Sequence, residues 1–257
     1  MTVAERSRAL LTGLLAGVFG GMFGVGGGIF MVPLLTGWLG ATQHQAHGTS
    51  LAVIGFTALA ALNVYGAHGN VAWATAALVG LGSVFTARYG ARLAARVSST
   101  QLQRAFALLL LAVGIRMLWV SPHATTPALH GGVLALALDL ALGACTGLLS
   151  GFMGVGGGLI AVPAFTLLLG MPQQLAQGTS LAVILVTAPA GALEHHRLGN
   201  VLWRLVGWLA VGAVAGGVAA SALIQGTPST LLTRAFAVFQ IVNALATLWR
   251  SRRQTPV

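Results

Sequence analysis

The segment Phe19–Pro33 reads FGGMFGVGGGIFMVP and the segment Leu149–Pro163 reads LSGFMGVGGGLIAVP, so one glycine cluster interrupts an apolar run twice. Each glycine weakens a helix by roughly 1 kcal/mol relative to alanine, and at this density a helix breaks. A break inside lipid exposes backbone N–H and C=O groups, which is tolerated only where protein buries them or a cavity solvates them. A glycine-rich break of this kind points to a binding site, expected between the two breaks near the midplane, and its repetition in both halves strengthens the pointer. The duplication is not confined to the glycines. At one offset of 130 (Gly24 to Gly154), HGTSLAVI at His47–Ile54 aligns with QGTSLAVI at Gln177–Ile184. GNVAW at Gly69–Trp73 aligns with GNVLW at Gly199–Trp203, and RAFA recurs at Arg104 and Arg234. Four anchors at one spacing make the chain two copies of one unit.

The medium is set by where charge is missing. No Asp, Glu, Lys or Arg occurs from Ala9 to Ala87, from Leu140 to Leu193, or from Leu205 to Thr233. A soluble chain of 257 residues with 6% charged residues could not cover its surface, and the mean hydropathy of +0.88 agrees with a polytopic membrane protein. The net charge of +10 comes from 13 arginines against Glu5, Asp139 and Glu194, with no lysine. These arginines flank apolar spans, so they read as orientation signals and not as a nucleic-acid surface. The lone Cys145 excludes an intrachain disulfide and a CxxC metal site, and no cofactor or metal is expected. The N-terminal run MTVAERSRALLTGLLAGVFGG is read as a first membrane segment and not as a signal peptide, because its counterpart lies in mid-chain.

The expected fold is all-α: two inverted-topology repeats, each a glycine-broken helical hairpin followed by three transmembrane helices. Repeat one takes residues 1–120 with its hairpin at 9–39, a polar external linker takes 121–130, and repeat two takes 131–257 with its hairpin at 131–169. The spans, each near the roughly 20 apolar residues a bilayer requires, run from Gly48 to Ala67, Val71 to Ala87 and Leu102 to Trp119. In the second copy they run from Gly178 to Leu193, Leu205 to Ile224 and Leu231 to Trp249. Arginines decide the topology. Arg88, Arg92, Arg96 and Arg104 surround the later link of copy one, whereas Arg197 and Arg204 mark the earlier link of copy two. Equivalent loops therefore lie on opposite sides. If each broken segment returns to its own side, these clusters, Arg6 and Arg8, and the tail Arg250, Arg252 and Arg253 all fall inside, with both termini cytoplasmic; Arg116 fits poorly. Trp73, Trp119, Trp203 and Trp249 read as interfacial anchors.

Candidate site residues follow from the breaks. A helix restarting after Gly28 or Gly158 presents free N–H groups and the positive end of its dipole, which suits an oxyanion without a buried cation. Gly26, Gly27, Gly28, Gly156, Gly157 and Gly158 are the expected backbone donors, while Gly13, Gly17, Gly143 and Gly147 are spaced for close helix packing. Thr49 with Ser50, and Thr179 with Ser180, either cap the next helix or donate hydroxyls to a ligand. His47 and Gln177 occupy equivalent places and differ, so they are candidates for coupling or tuning. Asp139 and Glu194 are the carboxylates within or beside spans, and Glu194–Arg197 is expected to reach the headgroups. GVGGG lacks the Lys and Ser/Thr of a nucleotide-phosphate loop, which argues against ATP hydrolysis in this chain. The apolar spans offer no evident Ser with His, nor paired Asp, so an enzyme is not expected.

The two GVGGG segments with their following prolines, Pro33 and Pro163, the two GTSLA segments at Gly48–Ala52 and Gly178–Ala182, and the paired GN turns resemble the sulfite exporter TauE/SafE, or sulfonate permease, family of membrane transporters. The resemblance covers nearly the whole chain. It implies a bacterial inner-membrane carrier of small sulfur-containing or organic anions. The expected partners are then a small anionic solute and the lipid bilayer, without nucleic acid, and a homo-oligomer is an open alternative. An anion channel on the same scaffold and a non-transporting membrane scaffold are the rival readings.

Overall fold

The computed structural model describes residues 1–94, 99–119 and 132–253; Arg96 and the expected linker 121–130 lie outside the described residues. Among the described residues there are ten helices and no strand. They are α1 (Val3–Phe23), α2 (Gly28–Trp38), α3 (Gln43–Ala67), α4 (Trp73–Ala94), α5 (Ser99–Trp119), α6 (Val133–Met153), α7 (Gly158–Leu167), α8 (Gln173–Arg197), α9 (Trp203–Ile224) and α10 (Ser229–Arg253). Segments of five of them, including all of α3, α8 and α9, are long and apolar enough to cross a membrane, and α2 and α7 are shorter apolar helices.

Helices α3 and α8 each begin five residues before the start that hydropathy suggests, Gln43 against Gly48 and Gln173 against Gly178. α3 starts at Gln43, not Gly48, because Thr42 and Gln45 form a capping box: Gln45 N–H donates to Thr42 Oγ1 at 3.3 Å and Thr42 N–H donates to Gln45 Oε1 at 3.1 Å. α8 starts at Gln173, where the Ser229 hydroxyl accepts the Gln173 N–H at 2.8 Å. Both GTS segments therefore lie inside helices, one to two turns from the start.

Small residues set the closest packing. Gly13, Gly17 and Gly21 of α1 sit on the carbonyls of Leu209, Ala213 and Gly217 of α9, and a Cβ at any of the three would collide with that backbone. Gly143, Gly147 and Gly151 of α6 sit in the same way on Val79, Ser83 and Ala87 of α4. Residue numbers rise together in both pairs, so α1 runs parallel to α9 and α6 parallel to α4. Without a hydrophobic drive between helices in lipid, such backbone approach supplies much of the association. Helices α3 and α8 pack the other way: Gly48 lies against His195 and Asn200, and Gly178 against Tyr65 and Asn70, so the start of each helix meets the end of the other. Each of these contacts has its counterpart 130 positions away with the halves exchanged.

An aromatic cluster fills the side where α1, α2 and α10 meet. Phe19 stacks on Phe30 at 4.0 Å between ring centroids, Phe23 stacks on Phe239 at 4.4 Å, and Phe236 closes on Phe23 edge-on at 5.7 Å. Spacings in this range favour attraction beyond simple burial. The cluster fixes how the returning arm α2 lies against α1.

Candidate functional site

Helix α1 stops at Gly24 (φ 67°) and α6 at Gly154 (φ 66°), each a left-handed cap whose N–H returns to the carbonyl four residues back, Gly20 and Ser150. The left-handed course continues at Gly26 and Gly27 (φ 75° and 91°) and at Gly156 and Gly157 (φ 80° and 77°). Such a run is costly for any residue carrying a Cβ. It folds the chain back on itself: Gly27 rests on the Ala16 carbonyl, and a Cβ on Gly157 would stand 2.9 Å from Thr146 O and 3.4 Å from Ser150 Cβ. Each broken segment is a helical hairpin with glycines at its tip.

The two tips touch. A Cβ on Gly28 would lie 2.7 Å from both Gly154 O and Val155 Cα, and one on Gly158 would lie 2.6 Å from Val25 Cα and 2.7 Å from Gly24 O. Ile54 of α3 and Ile184 of α8 pack over the junction, 3.2 and 3.5 Å from the Cβ position of Gly156. The junction is closed in this structure.

Backbone donors gather there without acceptors. Gly26, Gly27, Gly28, Gly156, Gly157 and Gly158 are all buried, yet among the described residues none of their N–H groups meets an acceptor at hydrogen-bonding geometry. The first turns of α2 and α7 close only from Phe30 and Met31, and from Ile160 and Ala161, onto the carbonyls of Gly27 and Gly157. A buried unpaired donor costs about 1–3 kcal/mol, so six of them in two clusters need a partner. Polar side chains without partners border the same tips: Gln177 Nε2 beside Gly24, His47 Nδ1 beside Gly154, and Ser150 Oγ beside Gly157.

The GTS hydroxyls have another role. Ser50 Oγ donates to Gly154 O and Ser180 Oγ to Gly24 O, both at 2.8 Å and fully buried, so each half ties down the tip of the other. Thr49 Oγ1 accepts the Leu202 N–H, and Thr179 Oγ1 the Ala72 N–H, each at 2.9 Å. The threonines thus do not cap the helices they belong to. They satisfy backbone donors just before α9 and α4, in the opposite half.

Around the tips the halves differ in chemistry. Tyr65 O–H donates to Gly21 O at 2.9 Å and stands 3.0 Å from Gln177 Oε1. At the equivalent place His195 Nε2 donates to Gly151 O at 3.1 Å, with His47 next to it. Both Tyr65 and His195 are fully buried.

The two carboxylates are not drawn into the junction. Asp139 lies near the start of α6, a helical rise of about 22 Å from Gly154, half-buried. Glu194 is bound by Arg92 at 2.8 Å and Arg197 at 3.5 Å, with its side chain 8% exposed. The expectation that Glu194 and His195 reach the headgroups is corrected by their burial: α8 continues to Arg197, and these two side chains face α4 and α6. His196 and Arg197 turn outward, and His196 accepts the Trp203 Nε1–H at 3.0 Å. Arg6, Arg92 and Arg197 nonetheless lie toward one face. The Arg92–Glu194–Arg197 link joins the ends of α4 and α8, and Arg6 lies over the Trp208 ring at 5.6 Å, joining the starts of α1 and α9.

Three site residues escape a reading of motifs: Tyr65, His195 and Ser150. The signal was in the internal alignment, where Tyr65 faces His195 and Gly20 faces Ser150 at the same offset.

The family model described as sulfite exporter TauE/SafE matches residues 2–117 and 139–257. A probable membrane transporter protein of Xylella fastidiosa is 31% identical over 258 residues, covering 98% of each chain. The probable membrane transporter protein YunE of Bacillus subtilis is 28% identical over 236 residues, covering 83% of this chain and 86% of its own. A probable membrane transporter protein of Haemophilus influenzae is 43% identical over 82 residues, covering 29% of this chain and 31% of its own. No solved structure matches the chain.

Proposed function

The chain belongs to the sulfite exporter TauE/SafE family of membrane transporters, and from that premise we propose that it is a secondary carrier of small sulfur-containing or organic anions, working by alternating access. The observation that carries the proposal is the set of six buried, unpaired glycine amides at two touching hairpin tips. Amides of this kind bind an oxyanion through hydrogen bonds and the helix dipole, with no buried lysine or arginine to hold it permanently. A carrier needs such an arrangement, because a solute must leave as readily as it arrives. The substrate class follows the family's description and fits this chemistry. Gln177 and Ser150 would complete the two anion shells with side-chain donors.

The antiparallel α3 and α8 are equivalent elements of the two repeats. If both stand across the bilayer, the axis relating the halves lies in the membrane plane and the hairpins enter from opposite sides, as the arginine pattern requires. The arginine-rich face is then cytoplasmic, in a bacterial inner membrane, with both termini inside. Passage requires the tips to part from Ile54 and Ile184 toward one face at a time.

Purified protein in proteoliposomes, preloaded with unlabelled anion, tests this with sulfite, sulfate, thiosulfate, sulfoacetate and taurine. Stimulated uptake of the labelled anion is expected for at least one, and Gly157→Val should abolish it while still inserting in the membrane. Uptake without stimulation by preloaded anion would indicate a channel. No uptake of any of the five contradicts the proposal.

A further inference from the structure

The two halves share one backbone frame but not one proton chemistry. On one side of the tips, Tyr65 of α3 and Gln177 of α8 meet through their side chains, 3.0 Å apart. On the other side, toward the arginine-rich face, the equivalent residues are His195 of α8 and His47 of α3. His195 keeps the role of Tyr65, donating from Nε2 to Gly151 O at 3.1 Å, just as Tyr65 donates to Gly21 O. A histidine in that role carries a second nitrogen, and Nδ1 of His195 is buried without a partner. His47 Nδ1 is buried without a partner as well, while its Nε2 stands 2.9 Å from Gln43 Nε2.

The valences are complementary. With Nε2 of His195 donating to a carbonyl, its Nδ1 presents a lone pair. With the Gln43 amide donating to His47 Nε2, the His47 Nδ1 carries the hydrogen. One ring offers an unpaired N–H and the other an unpaired acceptor, at the base of the second tip: His47 Cα lies 2.6 Å from where a Cβ on Gly154 would stand.

We propose that His47 and His195 form a proton-binding site that couples anion passage to proton movement, a site the first half lacks because Gln177 and Tyr65 occupy its place. This rests on the carrier reading above. The step adds one proton from water on the arginine-rich face to the Nδ1 lone pair of His195, with no other bond made or broken, and returns it to water on the far side with the anion.

The surroundings decide why the two should travel together. On α3, His44 is one turn before His47; on α8, Glu194 is held by Arg92 of α4 and by Arg197, and His196 faces out toward Trp203. Arg88 and Tyr89 lie on the same end of α4, Arg204 at the start of α9, and Glu5, Arg6 and Arg8 at the start of α1. Helices α2 and α7 carry no ionisable group, Asp139 of α6 is at the far end of its helix, Cys145 is exposed, and Arg234 of α10 stands near the start of α8. Two carboxylates, Glu194 and Glu5, are thus outnumbered by six arginines. A proton added here is opposed by like charge until an anion reaches the neighbouring tip amides, so proton and anion promote one another's binding reciprocally.

The test is the double variant His47→Gln with His195→Tyr, which gives this side the residues of the other, and the single variant His195→Gln, which keeps a donor for Gly151 O. The probe is sulfoacetate, whose acidic groups are both ionised between about pH 6 and 8, or whichever of the five anions shows stimulated uptake. In wild-type proteoliposomes an inwardly directed proton gradient should drive anion accumulation together with acidification of an internal pH dye. Both variants should keep stimulated uptake at equal pH within about twofold and lose gradient-driven accumulation by about tenfold or more. Gradient-driven accumulation equal to wild type in either variant that retains stimulated uptake overturns the proposal, as does a wild type that exchanges anion yet ignores the gradient. A wild type that shows no stimulated uptake with any anion contradicts the carrier reading instead.

Discussion

Replacing glycine by alanine at two places in one hairpin should have opposite effects. Gly28 and Gly37 both lie in α2, so in each case alanine gains up to about 1 kcal/mol in helix propensity. Gly37 has nothing within 4 Å of its Cβ position, and Gly37→Ala should be neutral or stabilising. At Gly28 the new Cβ would be 2.7 Å from Gly154 O and 2.7 Å from Val155 Cα, backbone atoms of the other tip, where ordinary contact begins at 3.4 Å. The tips must then move apart by about 0.7 Å, and overpacking of this kind costs about 1–3 kcal/mol. Relative to Gly37→Ala, which has the same gain in propensity, the loss is about 1–3 kcal/mol, or about 2–12 °C of melting temperature for a chain of this size. Gly158→Ala repeats the collision from the other side, 2.6 Å from Val25 Cα. Thermal denaturation of purified protein in detergent measures the stability, and stimulated uptake in proteoliposomes measures the function, which should fall at Gly28 and Gly158 and not at Gly37. Equal melting temperatures and equal uptake for Gly28→Ala and Gly37→Ala would refute the contact between the tips.

Two further substitutions separate holding the tip from surface pairing. Ser180→Ala removes the buried donor to Gly24 O and should cost about 1–2 kcal/mol in the melting assay, with Ser50→Ala costing a similar amount at Gly154 O; no loss in either would show that the hydroxyls are not needed to fix the tips. Glu194→Gln keeps the shape of a side chain whose main partner, Arg92, is 54% exposed, so stability should change by less than about 1 kcal/mol and stimulated uptake should persist; abolished uptake would place Glu194 in the transport path.

The repeat and the glycine breaks were legible because they are local and doubled. Left-handed backbone at Gly26, Gly27, Gly156 and Gly157 demands glycine, and the sequence supplies it twice. The start of α3 was legible too, in the Thr42-x-x-Gln45 capping box, but hydropathy alone set the boundary at Gly48 because Gln43, His44 and Gln45 are polar. The roles of Thr49, Ser50, Thr179 and Ser180 were not legible. Their partners are backbone atoms of the other half, about 100 residues or more away in the chain, and only the antiparallel packing of α3 on α8 brings them together. His195 was hidden by its company: beside Glu194, His196 and Arg197 it reads as the polar end of a span, yet the helical period turns it inward to Gly151 while His196 turns out.

The claim on which the rest depends is that tip amides hold the anion. Solid-state NMR on protein labelled with 15N-glycine, in bilayers with carbon-13-labelled sulfoacetate, measures it directly through carbon–nitrogen dipolar couplings assigned to Gly26–Gly28 and Gly156–Gly158. Hydrogen bonds from these amides to carboxylate oxygens, about 3 Å in length, place the labelled carbon within about 4 Å of at least one tip nitrogen. The account predicts that coupling, and its loss on adding excess unlabelled anion. Bound sulfoacetate that couples to arginine nitrogens on the surface and to no tip glycine would contradict it.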